Sequence, residues 1–305
     1  MIKRTLYFGN PAYLKKKMDQ LVVEFKDSHL AAKSIPIEDI GMVILDNSQI
    51  TITQSLLATL SENNTAILNC DSKHLPYSLM LPMAGHHAFT EKIRAQINAS
   101  LPLKKQLWQQ TIIAKIQNQA ALLKQRGADP KRLIYLAGQV KSGDSENAEA
   151  RAASWYWRAL FEETDTFKRE RFGEPPNNML NYGYAILRSI VARSLTASGM
   201  LNSIGIHHRN KYNPYCLADD IMEPYRPFVD KLVMKMAWKY DELDELSKEM
   251  KAELLSIPVL DVTIEGQKSP LMVGMQRTTA SLMKCFERSS RKIIYPDLAK
   301  SNEGA

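Results

Sequence analysis

NNMLNYGYAILRSIVARSLTASGM, Asn177–Met200, is the stretch on which the fold turns. Leu180, Tyr184, Leu187, Val191 and Leu195 recur at steps of four, three, four and four, which is one face of a long helix. Gly199 suits its end, because glycine accepts the left-handed conformation that closes a helix. The chain around it reads the same way. From about residue 90 to residue 125 it is rich in Ala, Leu, Lys and Gln, with apolar residues at helical spacing. SENAEARAASWYWRALF (Ser145–Phe161) and PFVDKLVMKMAWKYDELDELSKEM (Pro227–Met250) share that pattern. Residues 86–305 are therefore expected to form an all-α domain.

The first 85 residues have a different character. RTLYFG (Arg4–Gly9), AYLKKK (Ala12–Lys17) and DQLVVEF (Asp19–Phe25) are short β-rich runs split by Asn-Pro and Met-Asp turns. IGMVILD (Ile40–Asp46) and TAILNCD (Thr65–Asp71) are apolar runs of strand length, and LPYSLMLP (Leu75–Pro82) is a last strand candidate. Between them TQSLLATLSENN (Thr53–Asn64) has helical period and an Asn-Asn stop. The expected fold class is α+β: a small β-rich domain over 1–85, a linker at MAGHHAFT (Met83–Thr90), and a larger helical domain over 86–305.

Charge separates the two parts as well. The chain of 305 residues carries a formal +7, yet residues 1–85 hold eight basic and eight acidic side chains, so the excess lies in the helical part. A positive field on one part of a chain suits a polyanionic partner, nucleic acid first. Three cysteines at long spacing, Cys70, Cys216 and Cys285, make neither a disulfide framework nor a thiolate zinc site, and fit a reducing cytoplasm. No apolar run reaches the ~18–20 residues that a membrane span needs.

GIHHRNKYNPYCLADDIMEP (Gly205–Pro224) is where chemistry is expected. Two histidines precede a polar loop and then Asp219, Asp220 and Glu223. Asp220 and Glu223, three apart on a helix, share a face. Pro224 fits a first helical turn, which would place Glu223 near a helix N-terminus, where the dipole favours a carboxylate. One imidazole with carboxylates makes a hard site suited to Mg²⁺ or Mn²⁺. Glu149, among small residues in ENAEARAASWYW, is the best further anionic ligand. Arg188, Arg193, Arg209 and Lys211 could meet phosphates, with Tyr182 able to stack on bases. A capped, solvated helix start accounts for the same cluster without a metal.

Taken in order, these motifs resemble the CRISPR-associated adaptation integrases of the "Cas one" family, in the form that accompanies type II systems. NNMLNYGYA is similar to the family's helix motif, and GIHHR with LADDIMEPYRPFVD to its histidine and acidic motifs. The resemblance implies Glu149, His208 and Glu223 as metal ligands, with Asp220 a further catalytic carboxylate. His208 rather than His207 holds the fourth position of the G-x-x-H stretch. It also implies a homodimer formed through the β-rich domain, bridged by a small "Cas two" partner, possible further type II partners, and short duplex DNA as substrate. The implied reaction is insertion of new spacers into a CRISPR array by 3′-hydroxyl attack on a phosphodiester. The alternatives are a structure-specific metal-dependent nuclease without integration, and a non-catalytic DNA-binding scaffold.

Overall fold

The computed structural model describes residues 3–25, 31–161, 167–170 and 172–300. The chain divides into two compact units, Met1–His87 and Ala88–Ala305.

The strands of the first unit are β1 (Arg4–Phe8), β2 (Ala12–Lys17), β3 (Gln20–Phe25), β4 (Lys33–Pro36), β5 (Ile40–Leu45), β6 (Thr51–Ile52), β7 (Ala66–Cys70) and β8 (Pro76–Met80), with one helix, α1 (Gln54–Glu62), before β7. They form two sheets, in the orders β1-β5-β7-β8 and β4-β3-β2-β6. β5 pairs in parallel with both β1 and β7. A strand in that central place is buried on both faces, which is why IGMVIL is an unbroken apolar run. Leu14, Leu21 and Val23 of one sheet join Val43 and Ile67 of the other, with Leu56 and Leu60 of α1, in one core. β2 and β3 are a hairpin closed by Met18 and Asp19, both at positive φ, as the tight turn that matches strand twist requires.

The second unit holds α2 (Phe89–Ile97), α3 (Leu101–Arg126), α4 (Lys131–Gln139), α5 (Ala148–Leu160), α6 (Asn177–Ala197), α7 (Cys216–Met222), α8 (Arg226–Lys239), α9 (Lys248–Leu254) and α10 (Leu271–Phe286). It is not purely helical. Strands β9 (Asp261–Ile264) and β10 (Gln267–Pro270) pair antiparallel around Glu265-Gly266, both at positive φ. The alternating DVTI followed by Glu-Gly was a legible hairpin signal. The helix expected over Pro227–Met250 is also interrupted. α8 ends at Lys239, Tyr240 turns extended, and Ser247 starts α9 by accepting the Met250 N–H at 3.2 Å. Asp241, Glu242, Asp244 and Glu245 crowd negative charge against the negative end of the α8 dipole, so the helix does not continue through them.

Two helices organise this unit. α6 is buried on nearly every side, more than the single apolar face the sequence predicts. Its asparagines serve the fold. Asn177 accepts from the Arg169 guanidinium at 2.8 Å, and the Asn178 amide donates to the Leu243 and Asp244 carbonyls. α3 spans ~39 Å at 1.5 Å per residue, from a Ser100 cap to Gly127 in the left-handed region. Its buried face is mixed: Trp108, Thr111, Lys115 and Asn118 stand among leucines and isoleucines. Those polar residues build the site.

Candidate metal centre

Asp220 sets the histidine loop. Its side chain is fully buried on α7. One carboxylate oxygen accepts the backbone N–H groups of Ile206 (2.7 Å) and His207 (3.0 Å). The other accepts the His208 N–H (3.1 Å) and lies 2.6 Å from His208 Nδ1. Four donors fill a carboxylate's acceptor positions. With those positions occupied, Asp220, expected as a further catalytic carboxylate, anchors the loop that carries His208. An ionised carboxylate only accepts, so Nδ1–H donates to Asp220 and Nε2 is the nitrogen left for another partner, the arrangement that orients a metal-ligating histidine. The Asp220 hydrogen bond holds the His208 imidazole above its ordinary range, against burial. Gly205 is required here: a Cβ would meet the His208 carbonyl at 2.5 Å and Asp220 at 2.6 Å.

Glu149 and Glu223 come from different helices to one point. Glu149 sits in the first turn of α5, where the Asp144 carboxylate caps the helix by accepting the Ala148 and Glu149 N–H groups at 2.8 and 3.0 Å. Glu223 lies past the end of α7, in a single 3-10 turn, Glu223–Tyr225, that leads into α8. Glu223 and Pro224 thus stand in the first turn of that short helix, in line with the expectation, although it continues from α7 rather than from a loop. Lys115 of α3 bridges the pair: its Nζ is 2.6 Å from Glu149 Oε1 and 2.6 Å from Glu223 Oε2. Arg226 holds the other Glu223 oxygen at 3.0 Å. Burial opposes the charge on Glu223, but Arg226 and Lys115 outweigh it and keep the carboxyl below its usual range. Burial likewise pulls on the Lys115 ammonium, and Glu223 and then Glu149 hold it above its ordinary range. Glu223 and His208 feel each other's charge. Among the described residues, no three His, Cys, Asp or Glu side chains already stand as a metal cage. The two glutamates instead converge through a lysine ammonium, a cation of the chain's own.

Sequence reasoning missed that support. Lys115 lies in no motif, and Arg226 and the buried Asp230 stand inside LADDIMEPYRPFVD without a role read for them. Asp230 accepts from the Tyr156 and Tyr184 hydroxyls at 2.7 and 2.5 Å, and burial pushes its carboxyl up to about 6. Arg226 lies over the Tyr184 ring at 4.7 Å, so this group fixes the arginine that holds Glu223. Asn118 donates to the Pro224 carbonyl at 2.8 Å and fixes the turn itself. For Lys115 and Asn118 the signal was their spacing with Thr111 on the buried face of α3.

The family comparison decides the lineage. The model of the family described as CRISPR associated protein Cas1 matches residues 6–252. The chain belongs to the Cas1 family. It is 35% identical to the CRISPR-associated endonuclease Cas1 of Neisseria meningitidis serogroup C (strain 8013), over 99% of each chain. It is 25% identical to the CRISPR-associated endonuclease Cas1 2 of Pyrobaculum aerophilum, over 90% of this chain and 96% of that one. In fold it is similar to a casposase bound to its integration product, with TM-score 0.78 and 20% identity over 98% of this chain and 94% of that one. It is also similar to a Cas1 protein from Thermotoga maritima, with TM-score 0.75 and 16% identity over 93% and 97%. A Cas6-RT-Cas1–Cas2 complex aligns with TM-score 0.72 and 20% identity over 95% of this chain and 35% of that one.

The other sequence-predicted residues of this Cas1 chain divide sharply. Arg209 and Lys211 are exposed beside the histidines. Lys104 of α3 joins them, because its ammonium, already lowered by burial, is lowered further by Arg209. Arg188 is committed to Asp219 at 2.6 Å, and Asp219 also accepts from Asn213. Arg193 is 2% exposed and Tyr182 1%, so neither reaches a phosphate or a base from this surface. Their helix is the buried one, which a single apolar stripe did not reveal. The Cys216 thiol is directed to the Asn210 and Asn213 carbonyls within the loop.

The two histidines differ in kind. His207 stacks on Trp108 with ring centroids 4.1 Å apart and planes within 2°, and burial pushes its imidazole down. His208 alone has its Nδ1 held by a carboxylate. Strand joining by His207→Ala is expected to exceed that by His208→Ala by at least about tenfold. Parallel rate measurements check this, and the opposite order would make His207 the working imidazole.

Proposed function

We infer that this chain is a DNA endonuclease/integrase of CRISPR adaptation, and that Glu149, Glu223 and His208 Nε2 hold a divalent metal, Mg²⁺ or Mn²⁺. The observation that carries the metal reading is the convergence of Glu149 and Glu223 on one cation, beside an imidazole whose second nitrogen is tied to Asp220. Two hard carboxylates and one nitrogen fit such an ion better than zinc. A bound ion would act as a Lewis acid on the scissile phosphate and stabilise charge on its oxygens. The chain's own residues do the rest. Asp220 fixes the tautomer and direction of His208, Arg226 fixes Glu223, and the exposed Arg209 and Lys211 with the partly buried Lys104 offer phosphate contacts.

The reaction proposed is transesterification: the 3′-hydroxyl of a short duplex forms a new P–O bond at the array as the bond to the displaced strand breaks. No nucleotide cofactor is needed, because one phosphodiester replaces another. The casposase match, named as bound to its integration product, supports joining over plain cleavage. The match to a Cas1–Cas2 complex supports a Cas2 partner, and a match to a Cas1–DNA complex, at TM-score 0.61, supports DNA. Dimerisation through the Met1–His87 unit, bridging of two dimers by Cas2, and a type II setting are part of the same proposal. Among the described residues no helix is long and apolar enough to cross a membrane; a cytoplasmic setting is part of the proposal.

The test is a strand-joining assay with labelled duplex, array DNA and Cas2, with and without Mg²⁺ or Mn²⁺. Joined product is expected only with divalent metal and a free 3′-hydroxyl. Metal-dependent cleavage that never yields joined product would favour a nuclease, and product that resists chelation would remove the metal.

A further inference from the structure

Lys115 stands at the one position where Glu149 and Glu223 meet. Its side chain is 10% exposed, on the middle of a 26-residue helix, and its ammonium contacts both carboxylates at 2.6 Å. At 2.6 Å from both oxygens, the ammonium fills the position that a divalent ion bridging those same two oxygens would take. The ion needs them within ~2–2.5 Å, and it would then lie against a positive charge in a partly desolvated site, where repulsion is strong. The geometry points to a competition: we propose that Lys115 is an internal cation that aligns Glu149 with Glu223 and must leave them for the metal to bind. This rests on the reading that the two glutamates are metal ligands.

The consequences follow from charge. Lys115 neutralises one of two facing carboxylates, so it keeps both ionised and directed inward without a bound ion. It also weakens metal binding, because every ion that enters must first displace the ammonium. Lys115 is thus a positioning residue that sets the metal concentration at which the site fills. Arg226 is not equivalent, since it reaches only Glu223 and lies over Tyr184.

The experiment is calorimetric titration of Mn²⁺ into the full-length wild type, Lys115→Met and Lys115→Arg. Lys115→Met keeps the bulk and removes the charge; its Mn²⁺ affinity is expected to rise at least about tenfold. Lys115→Arg keeps the charge and is expected to stay near wild type. A purely structural lysine predicts unchanged or weaker affinity in Lys115→Met, and that result would overturn the competition. A second measurement covers failure of Lys115→Met to fold. In wild type, the Lys115 ammonium nitrogen resonance, assigned by its loss in Lys115→Arg, is expected to shift as Mg²⁺ saturates the protein. Mg²⁺ binding with that resonance unmoved would sink the inference while leaving the metal reading intact. No metal binding in any of the three proteins would sink the metal reading, and the competition with it.

Discussion

Glu149→Ala is expected to lower strand joining by at least about 100-fold, in line with the loss of a group that orients or stabilises the reacting charge. Its thermal stability is expected to stay close to wild type. Glu149 is the cleanest of the three proposed ligands to remove. Its side chain is 25% exposed, and its partner Lys115 keeps a second carboxylate at Glu223. Glu223→Ala is expected to lose as much activity but to destabilise as well. Glu223 is almost fully buried, and its loss takes the carboxylate from Arg226 and leaves Lys115 with Glu149 alone. His208→Ala removes the one nitrogen of the set, and its imidazole is half-exposed, so activity is expected to fall with a small change in folding. Joining rates alongside thermal melts separate the two kinds of loss. Near-wild-type joining in a folded Glu149→Ala protein would remove that carboxylate from the site.

Asp220→Ala is expected to have the largest effect on the fold, because it deserts three backbone N–H groups and an imidazole at once. Each donor left without an acceptor carries a desolvation penalty of about 1–3 kcal/mol, and with three backbone N–H groups affected in a partly exposed loop the loss is expected to be about 3–5 kcal/mol. For a unit of this size that corresponds to a melting temperature lower by roughly 6–20 °C. Asp220→Asn is expected to recover little, since an amide offers one oxygen where the loop needs two. The histidine loop should loosen with the melt, and joining should fall even at temperatures where the rest of the unit is folded. Circular dichroism melts of both variants check this. A shift below about 3 °C would mean the loop holds its shape through the Gly205 close approach alone.

What the sequence by itself determined is what depends on local order. Period two and period 3.6 placed strands in the first part of the chain and helices in the rest, because burying one face of an element imposes that period on neighbouring residues. The Asn177–Ala197 helix and the IGMVIL strand are of this kind. The order of the glutamate, histidine and acidic motifs marked the lineage, and their residue types suited a hard metal. The β9–β10 hairpin was legible in DVTIEGQKSP and simply outweighed by the helical signals around it. Tertiary structure alone decided the rest. Lys115 and Glu149 are 34 residues apart, and Lys115 and Glu223 still farther, so no local pattern could join them. Burial separated residues that look alike in sequence: Arg193 went inside while Arg209 stayed out, and Asp220 became the anchor of a loop while Glu223 faced a cation. The physical reason is common to all of these. A side chain's charge state and partners are set by what is packed against it, and in this site that packing comes from α3, α5 and the α7–α8 turn at once.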